Sequence, residues 1–308
     1  MLDVKISGFY DEVSRNLDVQ IATIKEYGEA YLCPRHVDGK RITSYSAEEF
    51  KTQIKPRLDA AGIKFSSIGS PVGKVGIKDE QGFENQLKQL ANLVEICKIM
   101  DCKYIRIFSF NFGSDEKLED YRDVVMAKLR KYVEVVEGTG ITLLHENEKG
   151  IYGYSAENCV DIMKTINHPQ LRLIHDASNF VQEKQDPLAA YHLMKDYVDY
   201  YHIKDCDWET GTETPIGYGD GKYAEIFADL SARNYSGFMT MEPHTFKYSM
   251  IRKPVVLIPF ARYIFKNYYK GYRKLDKKLG KKLFDSVTAK DVFDMQYYGL
   301  KKLLEETK

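Results

Sequence analysis

The sequence predicts an α/β barrel of eight strand–helix units, a TIM barrel with an extended C-terminal helical segment. Three observations predict it. Short apolar runs alternate with longer amphipathic segments along most of the chain. Glycines stand where helices would end just before the next apolar run. The chain has 308 residues, enough for such a barrel, which takes roughly 250 as one domain. A doubly wound sheet is the rival architecture. GSPVGKVG, after the third apolar run, lacks the G-x-G-x-x-G spacing that a dinucleotide-binding version would carry.

The strand candidates, in order, are DVKISG at 3–8, AYLCP at 30–34, IKFSS at 63–67 and KYIRIFSF at 103–110. ITLLHE at 141–146, LRLIHD at 171–176, YYHIK at 200–204 and GFMTME at 237–242 complete the eight. Helical spacing fills the intervals, as in NLDVQIATIKEYG, SAEEFKTQIKPRLDAAG, GFENQLKQLANLVEICKIM and YRDVVMAKLRKYVEVVEGTG. Gly28, Gly62 and Gly140 are the expected C-caps. Ser46 ahead of Glu48 and Glu49, and Ser155 ahead of Glu157, are N-terminal capping signals.

Residues 1–308 read as a single domain, with a basic, aromatic insertion at 247–285 before the last helix. From Arg262 to Lys282 nine Lys or Arg face one Asp, interleaved with Tyr263, Phe265, Tyr268, Tyr269 and Tyr272. The run DVFDMQYYGLKKLLEETK beyond it suits the eighth barrel helix. The insertion reads as a solvated helix pair or as an element that meets a partner subunit or covers substrate. An oligomer is expected.

Lys plus Arg and Asp plus Glu both total 45, so no global charge bias points to nucleic acid. No apolar run reaches the length of a membrane span, and MLDVKISGFYDEV has no leader-like apolar stretch. The five cysteines have no framework spacing and read as reduced thiols of a cytoplasmic protein.

Four of the apolar runs end on or close to a metal-ligating residue: Glu146, Asp176, His202 and Glu242. TIM-barrel sites gather at the C-terminal ends of the strands, so these four would converge there. Three carboxylates and one imidazole suit Mn²⁺, with Mg²⁺, Co²⁺ or Zn²⁺ as alternatives, and without a thiolate cluster a closed zinc site is not expected. His145 is either a general base at the mouth or a histidine packed between barrel and helices. Asn147, Asn179 and Lys204 are candidates for holding substrate, as are Arg35, His36 and Phe108 beyond the second and fourth runs. Gly217, Gly219 and Gly221 mark a loop over the site, where a phosphate grip is conceivable.

ISGFYDEV, GIKFSSIGSP, LLHENEKGIYG, HDASNF, YHIKD, GYGDGKY and MEPH together resemble the xylose-isomerase-like TIM-barrel family. That family holds the sugar isomerases and epimerases related to tagatose 3-epimerase and inosose dehydratase. The resemblance implies that Glu146, Asp176, His202 and Glu242 bind a catalytic divalent cation. It also implies that Glu146 and Glu242 exchange protons with a sugar. Asn179 stands where the tagatose-type epimerases have a histidine, and IKDCDWE lacks their arginine, so hydroxyl recognition should differ. The family includes catalytic subunits of C-glycoside deglycosidases, which work with a small β-sandwich partner. A histidine before the first ligand would suit them as base, and His145 occupies that place. The expected activity is therefore β-elimination of the aglycone from a 3-oxo-C-glucoside, with keto-sugar epimerisation or isomerisation as the alternative. A non-catalytic sugar-binding barrel is the reading from a different class.

Overall fold

The eight apolar runs form eight strands in the computed structural model, which describes residues 2–282 and 287–307. They are β1 (Lys5–Gly8), β2 (Tyr31–Leu32), β3 (Lys64–Phe65), β4 (Tyr104–Ile107), β5 (Thr142–Glu146), β6 (Leu171–Asp176), β7 (Val198–Ile203) and β8 (Phe238–Met241). Six make one parallel sheet in the order β1-β8-β7-β6-β5-β4. The short β2 and β3 pair with each other and span the gap. The Cys33 amide donates to the Gly8 carbonyl at 3.2 Å, and the Ile68 amide to the Tyr104 carbonyl at 2.9 Å. The sheet thus curls back on itself as a TIM barrel.

A helix follows each strand and covers it from outside. Asn16 accepts from Asp18 and Val19 to start helix Leu17–Glu26, and Ser155 accepts from Asn158 to start helix Ala156–Ile166, so side-chain oxygens satisfy amides that the first helical turn leaves open. The segment after β2 winds through a wide turn at Phe50–Ile54 before helix Lys55–Ala61. Pro56, which has no amide to donate, sits at the start of that helix, where the break is tolerated. Gly62 ends it at φ +69°, a backbone that a side chain would strain. The last helix, Ala289–Glu306, buries Phe293, Tyr297, Leu300 and Leu304, and stacks Tyr297 on Tyr27 at 4.1 Å beside the first helix.

Strand phase sorts the side chains. Leu144, Ile174 and Tyr200 form a small buried cluster with Tyr104 and Phe238 inside the barrel, separate from the main core under the helices. Successive strand residues face opposite sides, so the next inward residues are Arg106, Glu146, Asp176, His202 and Thr240, with Glu242 one step further, past the end of β8. The residues between them, including Leu143, Leu173, Tyr201 and Met239, join the outer core. An apolar layer therefore floors the barrel and a charged layer lies directly above it.

Between β8 and the last helix, the described residues form three helices, Thr245–Leu257, Pro259–Ile264 and Lys266–Leu279. Tyr248, Val255, Ala261, Tyr272 and Val292 give them a small core of their own. Lys270 and Lys274 reach back to Glu209 and Asp207 in the loop after β7. Residues 283–285 of the expected insertion lie outside the described residues.

Leu144→Ala removes the floor under the charged layer. A cost of about 2–5 kcal/mol is expected from denaturant unfolding, with near-native secondary structure by circular dichroism.

Candidate metal centre

Glu146, Asp176, His202 and Glu242 meet at the C-terminal mouth of the barrel, each offering one donor atom, all within 4.8 Å of one another. All four are buried. His202 Nδ1 lies 2.8 Å from Glu146 Oε1 and 3.4 Å from Glu242 Oε2. Three cations contact the carboxylates. Arg106 Nη1 donates to Glu146 Oε2 at 3.0 Å, Arg35 Nη1 to Glu242 Oε1 at 3.1 Å, and Lys204 Nζ lies 3.1 Å from Asp176 Oδ2. Arg106 is itself anchored on the Ser70 and Gly69 carbonyls. Phe9 lies beneath: Arg35 sits 4.3 Å from its ring centre, and the His202 ring meets it edge-on.

These contacts set the charges. Burial pushes the Glu146 carboxyl up, but His202 and Arg106 outweigh it and hold it at about 2. Burial also opposes the His202 imidazolium, yet Glu146 raises that group to about 9. Asp176 is pushed up to about 6 by burial, with Lys204 only partly offsetting it. Lys204 stays strongly cationic: burial works against its charge, and Asp176 and Glu242 prevail. Glu242 Oε2 and Asp176 Oδ2 make no hydrogen bond, though both lie within ion-pair distance of Lys204. Two buried carboxylate oxygens without a hydrogen-bond donor, beside an imidazole nitrogen and a third carboxylate, fit a divalent cation.

Glu12, Glu242 and His244 form a second close group. There Arg35 already donates to both Glu12 Oε1 and Glu242 Oε1, so the positive charge is supplied by the protein.

The cavity above the quartet, about 340 Å³, is lined by charged groups, among them Glu12, Arg35, His36, Lys74, Lys204 and His244. Arg35 and His36 both pair with Asp11 there. Lys204 also donates to Asn179 Oδ1 at 3.0 Å. Asn179 is thus a support for Lys204 rather than part of the cavity wall. Asn147 exchanges two hydrogen bonds with the backbone of Asp176, each 3.0 Å, and ties the end of β5 to the end of β6.

Three expectations need correction. His145 does not reach the cavity. It has the opposite strand phase to Glu146, its Nε2 lies 2.9 Å from Ser109 Oγ, and its ring packs so closely on Gly153 that a Cβ there would come within 2.2 Å. Burial lowers its pKa to about 4, so it is a neutral core histidine, as is His175 under the outer helices. Phe108 is fully buried with Lys74 over its ring, so Lys74 and not the phenyl group faces the cavity. The glycine loop grips no phosphate. The amides of Gly217, Gly219 and Gly221, with that of Cys206, all donate to the Asp205 carboxylate at 2.8–2.9 Å. A Cβ on Gly219 would sit 2.2 Å from that carboxylate, which explains the glycine.

Arg106, Glu12 and His244 were missed from sequence. Arg106 did carry a signal, as the single charge within YIRIFSF. Glu12 ends a three-residue 3-10 turn and His244, with φ +55°, stands just before the helix that follows β8, so no periodicity points to either.

A family model described as a xylose isomerase-like TIM barrel matches residues 22–255. Inosose dehydratase of Geobacillus kaustophilus (strain HTA426) is 21% identical over 242 residues, covering 66% of this chain and 77% of that protein. Among solved structures, the IOLI protein with a bound zinc atom superposes with TM-score 0.71 at 13% identity, covering 99% of both chains. The 3-keto-D-glucoside 4-epimerase YcjR from E. coli superposes with TM-score 0.61 at 20% identity, covering 79% of this chain and 92% of its own.

A cation entering the quartet must displace the proton on His202. Its affinity should therefore fall as pH drops from about 9, and further below about 6 as Asp176 takes up a proton. Calorimetry in buffers of different ionisation enthalpy should record proton release on binding. At a hundred times its Kd the cation should add about 2.7 kcal/mol of stability, and Glu146→Gln should abolish that gain. Binding without proton release would contradict the assignment.

Proposed function

The chain belongs to the xylose isomerase-like TIM-barrel family, and from that premise we propose a divalent-metal-dependent enzyme that removes a proton beside the carbonyl of a small polyhydroxy ketone. The observation that carries the reading is the buried quartet with its two carboxylate oxygens that accept no hydrogen bond. Glu146, Asp176, His202 and Glu242 would hold the cation, which when bound would place positive charge beside the substrate oxygens. Three oxygen donors and one imidazole suit Mn²⁺, and Mg²⁺, Co²⁺ and Zn²⁺ are the alternatives.

The remaining roles fall to the chain's own residues. Lys204, kept cationic by Asp176 and Glu242, donates to the oxygen that gains negative charge as the C–H proton leaves. Glu146 and Glu242 approach from the ends of different strands, so one can take a proton and the other return it. His244 lines the cavity with Nε2 3.3 Å from Lys204 Nζ and Nδ1 3.6 Å from Glu12 Oε1, a path for protons to the mouth. Arg35 fixes Glu12 and Glu242 relative to each other.

Expulsion of an aglycone from a 3-oxo-C-glucoside drew its support from a base at His145, whose ring is held against Ser109. We therefore favour return of the proton, which is epimerisation or isomerisation of a keto sugar. The character of the cavity supports a small polar substrate: among the described residues its lining holds no Phe, Tyr or Trp on which an aromatic aglycone could stack.

The test incubates metal-free and metal-loaded protein with ketohexoses, 3-oxo-glucosides and cyclic polyol ketones in D₂O, followed by NMR. Metal-dependent deuterium incorporation next to the carbonyl is expected. Epimers or isomers as products support the favoured reading, and release of aglycone supports elimination. Glu242→Ala should slow exchange on the order of 10²–10⁴-fold. Exchange that survives both chelation and Glu242→Ala would sink the proposal.

A further inference from the structure

The helices between β8 and the last barrel helix expose an apolar elbow that the barrel does not use. Thr245–Leu257 and Pro259–Ile264 meet at Ile258, where the backbone turns extended. Val255 and Ala261 face inward. Leu257, Ile258, Phe260, Tyr263 and Ile264 point outward, each 52–76% exposed. A contiguous apolar tip of this size marks an interaction surface. Its surroundings are strongly basic: from Met250 to Lys282 eleven Lys or Arg stand against one Asp. The remainder of the chain is therefore ten charges negative.

The same chain carries a matching acidic depression. A groove of about 640 Å³ lies between helix Ala156–Ile166 and helix Pro187–Met194, with Tyr154, Ala156 and Leu193 along it and Glu157, Glu183 and Asp186 at its edges. Leu193 is 47% exposed. Glu157 and Glu183 form no ion pair among the described residues, and neither do Lys253 and Lys266 beside the elbow.

We propose that the elbow of one copy docks in the acidic groove of a second copy of this chain, and the reverse, giving a two-fold dimer. An isologous contact uses both patches twice. Two elbows, each contributing five large apolar side chains, can reach the roughly 1,200–2,000 Å² of a stable interface. The lysines flanking each elbow meet Glu157 and Glu183 of the facing groove, which fixes the orientation. The groove supplies both the apolar floor and the opposite charge, and for that reason the occupant is a second copy.

The full chain is examined by sedimentation equilibrium over a wide concentration range. The wild type is expected to dimerise. Phe260→Glu with Tyr263→Glu, and separately Glu157→Lys with Glu183→Lys, should each weaken association at least tenfold while the barrel melts as before. Mixing the two variants should restore a heterodimer through the one contact left intact, a result that misfolding could not produce. A wild type that stays monomeric at every concentration overturns the proposal, as does an elbow variant that still dimerises. Monomeric protein that pellets with phosphatidylserine vesicles would instead assign the elbow to a lipid surface.

Discussion

Four donor groups are buried within 4.8 Å of one another at the mouth of the barrel, and three of them are carboxylates. Their mutual repulsion is the constraint around which the neighbourhood is arranged. Arg106 and Arg35 each hold the outer oxygen of one glutamate, leaving the other oxygens to His202 and the space between them, while Lys204 lies beside Asp176 Oδ2 and Glu242 Oε2. A buried charge cluster persists only when its charges are paired and its hydrogen bonds made. Here the hydrogen bonding stops short at Glu242 Oε2 and Asp176 Oδ2, and the deficit lies where a cation would sit.

Strand phase delivers the cluster. Leu144, Ile174 and Tyr200 seal the barrel below, and residues two positions onward supply Glu146, Asp176 and His202. A one-residue slip in any of these strands would exchange a ligand for a residue of the outer core. The loop after β7 has its own internal order, since Asp205 gathers four backbone amides and so fixes the glycine segment near the mouth. The helices before the last barrel helix then brace that loop through Lys270 and Lys274.

Much of this was legible in the sequence for a definite reason. A charged or ligating residue ending an apolar run is conspicuous, so Glu146, Asp176, His202 and Glu242 could be picked out before any geometry was known. The eight runs likewise marked eight strands, although β2 and β3 are only two residues each and join the sheet through a few backbone hydrogen bonds on either side. His145 takes the packed position and not the mouth because strand alternation persists to the last residue of β5. Phe108 went astray because an aromatic ring near a site can be covered by a lysine stem, which sequence cannot reveal. Glu12, Arg35 and His244 come together only through tertiary packing of separate loops.

The central claim is that Glu146, Asp176, His202 and Glu242 hold one divalent cation. Anomalous diffraction from crystals of the manganese-loaded protein, collected at the manganese edge, tests it most directly. A single strong peak enclosed by His202 and the three carboxylates is expected. A peak displaced to Glu12 and His244, or none at the quartet, would contradict it.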